Sequence, residues 1–361
     1  MLKKKSDVFS FYGRLLFVLA FLPFFGCSSA PKRPMLVTDT YTLAHSRLEN
    51  ANNELLSGKL PAAKRSLSES YSLAVSVDSA ALLTKICLSG VSYKILENQL
   101  GDNSDSKESK NSESDFASSS NLEFQKSESA KSEISSENSK SGGNVSSALV
   151  SEKSLSIQTE KKSFLDGDLN SILSEAKSFA RRSSEKDALL DLCALYEVRV
   201  MLTRVRLSNE KNLSESEKRN LLEILTQCEK SVSKEPYYGG FLSRTRGDVY
   251  VSLSDFKNAG KSYLEAAQIH TKNRYLYEIA LDWYGAARAC SLGGDKSGAV
   301  NAIENALKYD RDAENSAALA LDYLAYSKIL LKGEPTESEI KKAKELENIS
   351  EKIRENSKAL N

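Results

Sequence analysis

The 361-residue chain has little of what catalysis uses. It has two histidines, His45 and His270, and neither is read beside a nucleophile or within a metal site; both are expected at the surface or in a groove. It has no G-x-S-x-G, no H-E-x-x-H, no Walker loop and no G-x-G-x-x-G after a strand. Without a C-x-x-C it suggests neither a redox motif nor a zinc site. Strand signals are essentially missing. Charge of either sign is not in surplus: the formal net charge is +1, the first 26 residues carry +3 and the remainder −2. A nucleic-acid partner is therefore not implied, nor is an anionic membrane surface. No cofactor or metal is expected, and no segment is left over for a catalytic domain.

A long hydrophobic run is also missing. The longest, LLFVLAFLPFF at the amino terminus, is about 11 residues, too short to span a bilayer comfortably. It follows a positive segment with Lys3, Lys4, Lys5 and Arg14 and ends at Gly26-Cys27. A Cys after a small residue at the end of such a run resembles the bacterial lipobox. That resemblance implies a signal peptide over 1–26, cleavage before Cys27, and acylation of Cys27. Several acyl chains give lasting anchorage where one binds marginally. The mature protein is then a lipoprotein of the cell envelope, lipid-anchored and facing the periplasm or the cell surface. An ordinary signal peptide or an uncleaved anchor is the alternative. Four cysteines remain, Cys87, Cys193, Cys228 and Cys290, each on an apolar or small helix position, and buried free thiols are expected.

What is present is helical repetition. Residues 240–271 and 280–311 overlay with a shift of about 40. Gly247 and Ala287 are small residues midway along a first helix. Ser254-Asp255 and Gly294-Asp295 are turn signals. Ala259, Tyr263 and Ala266, then Ala299, Ile303 and Ala306, share one face of a second helix. These hairpins resemble tetratricopeptide (TPR) repeats, whose pattern is W-x2-L-G-x2-Y, A-x3-F, P. The second carries Trp283, Ala287, Ala299 and Ile303; the first carries Gly247, Tyr250, Ala259 and Tyr263.

The rest of the chain extends the pattern. Residues 27–40 read as a tether. Tyr41 to Val75 forms a hairpin turning at Ser57-Gly58, with Pro61 in the first turn of its second helix. Residues 79–98 read as one helix, closing a helical region over 41–100. From 101 to 161 about a third of the residues are Ser, with Glu, Lys, Asp and Asn making most of the rest. Apolar residues there are too sparse to offset ordering entropy, so a disordered insertion inside a repeat is expected. Helices follow over 168–182, 186–207 and 217–232, with Ser214 and Glu217 as a capping box. Pro236 matches the family's closing proline. The last pair spans 314–331 and 337 to about 356, turning at Gly333 and Pro335, and its charged final helix is read as a solubilising cap.

The expected fold is all-α: a TPR-like solenoid of about six helical hairpins, interrupted by the long insertion, with 162–361 forming its second part. The repeat exceeds the family's roughly 34 residues, so helices a turn longer or looser links are expected. Carboxylates on these helices are expected to be solvated or paired with Lys one turn away. In the TPR family the first helix of each repeat lines a concave groove that holds a peptide or another protein. By register that implies Phe241, Arg244, Asp248, Leu281, Tyr284, Arg288, Asp322 and Tyr326 as groove residues. Trp283, Tyr250, Tyr263 and Ile303 are expected in the core. The resemblance implies a non-enzymatic, membrane-anchored scaffold binding an envelope protein or peptide. The alternative is a small-ligand-binding accessory lipoprotein of a solute-uptake system, which requires a pocket closed by the superhelix.

Overall fold

The computed structural model describes residues 39–105, 163–207 and 213–359. The expectations for the signal peptide, Cys27 and most of the tether lie outside these residues, as does nearly all of the insertion. Among the described residues there are twelve α-helices, one 3-10 turn (Phe164–Asp166) and no strand. The helices are α1 (Asp39–Leu56), α2 (Leu60–Ser76), α3 (Ala80–Asp105), α4 (Leu169–Arg182), α5 (Lys186–Leu207) and α6 (Glu215–Val232). They continue with α7 (Pro236–Ser252), α8 (Phe256–Asn273), α9 (Leu276–Leu292), α10 (Lys296–Asp312), α11 (Ser316–Leu331) and α12 (Glu337–Ala359). Consecutive pairs pack as six hairpins, and each hairpin packs on the next, giving a helical-repeat solenoid.

The register is strict in the carboxyl-terminal half. Helices α7, α9 and α11 begin at Pro236, Leu276 and Ser316, 40 residues apart. The helices from α7 to α11 are 16 to 18 residues long, so two helices with short links fill the 40-residue period.

One local device makes most of the turns. Gly58, Asp78, Ser254, Arg274, Gly294 and Glu314 all have positive φ, between 48° and 83°. After each, the next N–H returns to a carbonyl five residues back, as in Asp255 N to Tyr250 O and Asp295 N to Cys290 O, both 2.9 Å. This left-handed cap satisfies carbonyls that a helix end leaves open. The residue after it opens the next helix. The side chains of Asp255, Asp295 and Asn315 accept from the N–H three residues on.

Three boundaries differ from the sequence reading. Helix α3 continues through Asp105, past the expected start of the insertion, since each added residue gains a backbone bond once a helix is nucleated. Helix α6 begins at Glu215 rather than Glu217, because Glu217 is the third residue of the box rather than the first of the helix. That capping box is formed: Ser214 N donates to Glu217 Oε2 at 2.7 Å. Pro236 does not close a repeat; it opens α7, where a missing N–H is harmless.

Buried apolar residues form clusters over α1–α3, α3–α7 and α8–α12. Tyr71, stacked on Phe164 at 4.5 Å, joins the first two. Tyr263 and Ile303 are buried, and Trp283 and Tyr250 pack partly buried against the same core. The four cysteines are free thiols; Cys87, Cys193 and Cys228 are buried and Cys290 is half-buried. Burial pushes Cys193 up to about 12 and Cys228 up to about 11, which keeps both as unreactive thiols. Among the described residues no helix is long and apolar enough to cross a membrane.

Candidate functional site: a walled cavity on the concave side

The first helices of five hairpins converge on one cavity of about 110 Å³. Asn52, Leu55 and Leu56 come from the end of α1, and Ser92, Ile95 and Leu96 from α3. Helix α5 gives Tyr196 and Arg199; α7 gives Tyr237, Phe241, Arg244 and Asp248. Helix α9 gives Glu278, Leu281, Tyr284 and Gly285, and the ring of Tyr263 from α8 reaches in between. The cavity exists because the solenoid comes round on itself. Helix α1 packs against α9, and Asn315 Nδ2 at the α10–α11 link lies 3.5 Å from the Leu56 carbonyl oxygen. An open groove between distant repeats is thereby walled at its amino-terminal side.

Tyr263 sits between the backbones of α7 and α9. A Cβ on Gly285 would lie 2.6 Å from its ring, so only glycine lets α9 approach this closely. The Tyr263 hydroxyl donates to Asp248 at 2.7 Å. Arg199 lies over the Phe241 ring at 4.7 Å, with its guanidinium 4.0 Å from Asp248.

Arg244 and Glu278 of the wall belong to a buried ionic cluster that continues behind it. Arg244 reaches from α7 to two carboxylates one turn apart on α9: Glu278 at 2.5 Å and Asp282 at 2.6 Å. His270, at the end of α8, places Nδ1 2.6 Å from the other Asp282 oxygen. Burial works to raise Glu278, but Arg244 outweighs it and the carboxyl is held below its ordinary range. Burial dominates at Asp282 and raises it, although Arg244 and His270 pull the other way. Burial would lower Arg244; the two carboxylates reverse this and raise it. Gly240 makes room for the imidazole, since a Cβ there would fall 2.2 Å from Nε2. The His–Asp pair is half of a nucleophile-activating relay, but the other ring nitrogen faces the Tyr237 carbonyl oxygen at 3.3 Å. A carbonyl cannot be a nucleophile, and the imidazole is fully buried.

Of the eight residues that register placed in a groove, Phe241, Arg244, Asp248, Leu281 and Tyr284 line the cavity. Arg288, Asp322 and Tyr326 do not; all three are buried away from it. Tyr326 is covered by α12: its hydroxyl donates to Glu304 at 2.5 Å and receives Lys342 at 2.6 Å. Helix α12 packs over that part of α11.

Two further expectations are corrected. His270 is in neither surface nor groove, because Gly240 admits it to the interior. Nor are all helix carboxylates solvated: Glu278, Asp282, Asp310 and Asp322 are each at most 3 % exposed. His45 is exposed, and its Nδ1 lies 3.3 Å from Glu49 one turn on, a partner the sequence reading passed over. Among the described residues no three His, Cys, Asp or Glu side chains converge to hold a metal ion. The chain matches no protein-family model and no curated protein.

Proposed function

We propose that this chain is a non-enzymatic binding protein of the TPR-like kind, held to a bacterial envelope membrane through lipid on Cys27, whose concave cavity takes a small organic ligand. One observation carries the choice over a peptide-binding scaffold: α1 meets α9 and the α10–α11 link, so the concave side is a pocket rather than a continuous trough. Preformed walls spare a ligand the ordering cost of building its own site. A lipid anchor confines the holder to the surface where a membrane transport system or envelope enzyme meets its solute. The scaffold reading keeps one support, namely that first helices build the wall, as in the family whose grooves hold peptides.

Native mass spectrometry of protein taken from its own membranes tests the reading. A small-molecule adduct is expected on the wild type and not on Leu281→Trp, which fills the cavity from a half-buried position. A bare wild-type mass, or an adduct that survives the substitution, overturns it. An envelope protein retained by the wild type and lost with Tyr284→Ala, with no adduct seen, returns the scaffold reading to first place.

A further inference from the structure

We infer, resting on the reading above, that the cavity selects an uncharged single-ring compound with one hydrogen-bonding group, and discriminates against carboxylates and cations of the same shape. The first ground is pairing. Each charged side chain on the lining already has an opposite charge on the protein: Arg244 has Glu278 and Asp282, and Arg199 has Asp248. Asp248 also accepts from Tyr263. An anion entering here competes with Asp248 and Glu278, and a cation competes with Arg199 and Arg244. Either brings a charge that must leave water without a dedicated partner, and burying such a charge is costly.

The second ground is the surface between the pairs. It is made of aliphatic side chains from α1, α3 and α9, together with the rings of Phe241, Tyr196, Tyr237 and Tyr284. Such rings receive a flat ligand by stacking or edge contact. Asn52 supplies an amide at the α1 edge of the same wall, which suits one polar substituent on an otherwise apolar body. The third ground is size. A volume of about 110 Å³ is somewhat under the roughly 150 Å³ engineered cavity known to take benzene, and this one is not sealed. That is the scale of one ring, with a short substituent directed to the open side.

Benzamide, benzoate and benzamidine share one shape and differ in charge. Calorimetric titration of the three into the full chain at neutral pH separates them. Benzamide is expected to bind at least about 10-fold more tightly than either ion, in keeping with the penalty for an unpaired charge. Leu281→Trp and Leu96→Trp, both at half-buried positions and each checked for helicity and melting, are expected to abolish the benzamide signal. Equal or tighter binding of benzoate or benzamidine overturns the inference but leaves a ligand cavity standing. Failure of all three to bind at millimolar concentration overturns the ring class, and the native-mass experiment then judges the wider reading separately. Benzamide binding that persists in both variants places the ligand elsewhere and overturns both.

Discussion

Two junctions of the solenoid occupy the same place in successive repeats and solve the same problem in opposite ways. At the α8–α9 junction His270 meets Asp282. Forty residues on, at the α10–α11 junction, Asp310 meets Asp322 in the same register. The first carboxylate is held by an imidazole and by Arg244. The position equivalent to Arg244 in the next repeat is Tyr284, which brings no positive charge. Burial pushes Asp310 up to about 7, and burial and the neighbouring Asp310 push Asp322 well above the carboxylate range. The second pair is therefore held together by a proton where the first is held by a guanidinium and an imidazole. Steric requirements follow the chemistry. Gly240 is needed beside the imidazole, and its register equivalent Ala280 accompanies the smaller Asp310. A repeat backbone thus accepts either solution, and the choice sets how stability responds to pH.

Breaking the first junction has the largest expected effect. Arg244→Met leaves Glu278 and Asp282 facing one another without their main counter-charge. Removing one partner of a buried ion pair typically costs about 3–5 kcal/mol. The urea midpoint should fall accordingly, and a midpoint within experimental error of wild type contradicts the account.

The second junction sharpens the contrast through pH. Unfolded, its carboxyls titrate near 4; folded, Asp310 titrates at about 7. The native state therefore binds more protons between those values, and the junction's contribution to stability declines as pH rises through that window. Asp322→Asn supplies a permanent neutral donor. It should stabilise the chain at pH 8 by something on the order of 2 kcal/mol, and by much less at pH 4. Thermal melts at both values measure this, and an equal shift at each would rule out the shared proton.

The smallest effect lies in the turns ahead of the two junctions. Ser254 and Gly294 are equivalent, with φ of 59° and 83°. Glycine adopts that conformation without the steric penalty a side chain carries. Ser254→Gly should stabilise by about 0.5–1 kcal/mol in the same urea assay; a loss of stability would mean that the serine side chain makes a contact worth more than the strain.

Much of the fold was legible in the sequence because its determinants are local. The Ala259–Tyr263–Ala266 and Ala299–Ile303–Ala306 faces, the turn dipeptides and the Ser214–Glu217 box each act within a few residues of chain. Five cavity residues were legible by the same register. Arg288, Asp322 and Tyr326 lie away from the cavity because register places a position on a helix face but does not tell how deeply neighbouring helices bury it. Glu278, Asp282 and His270 were missed as a group because their ties to Arg244 or to one another span 12 to 38 positions in the chain. One signal was available. The 40-residue overlay sets His270 on Asp310 and Asp282 on Asp322, so polar residues recur on faces otherwise apolar.

The sequence by itself determined the hairpins: where helices start, where they turn and which stripe of each is apolar. Side chains three and four apart and caps within one turn fix those features before any distant contact forms. Only the tertiary structure decided that the end of α1 comes back to α9 and Asn315, and that a carboxylate becomes an ionic partner or a proton holder. Both outcomes depend on which surfaces meet across the superhelix and on how thoroughly water is excluded there, and neither leaves a periodic trace along the chain.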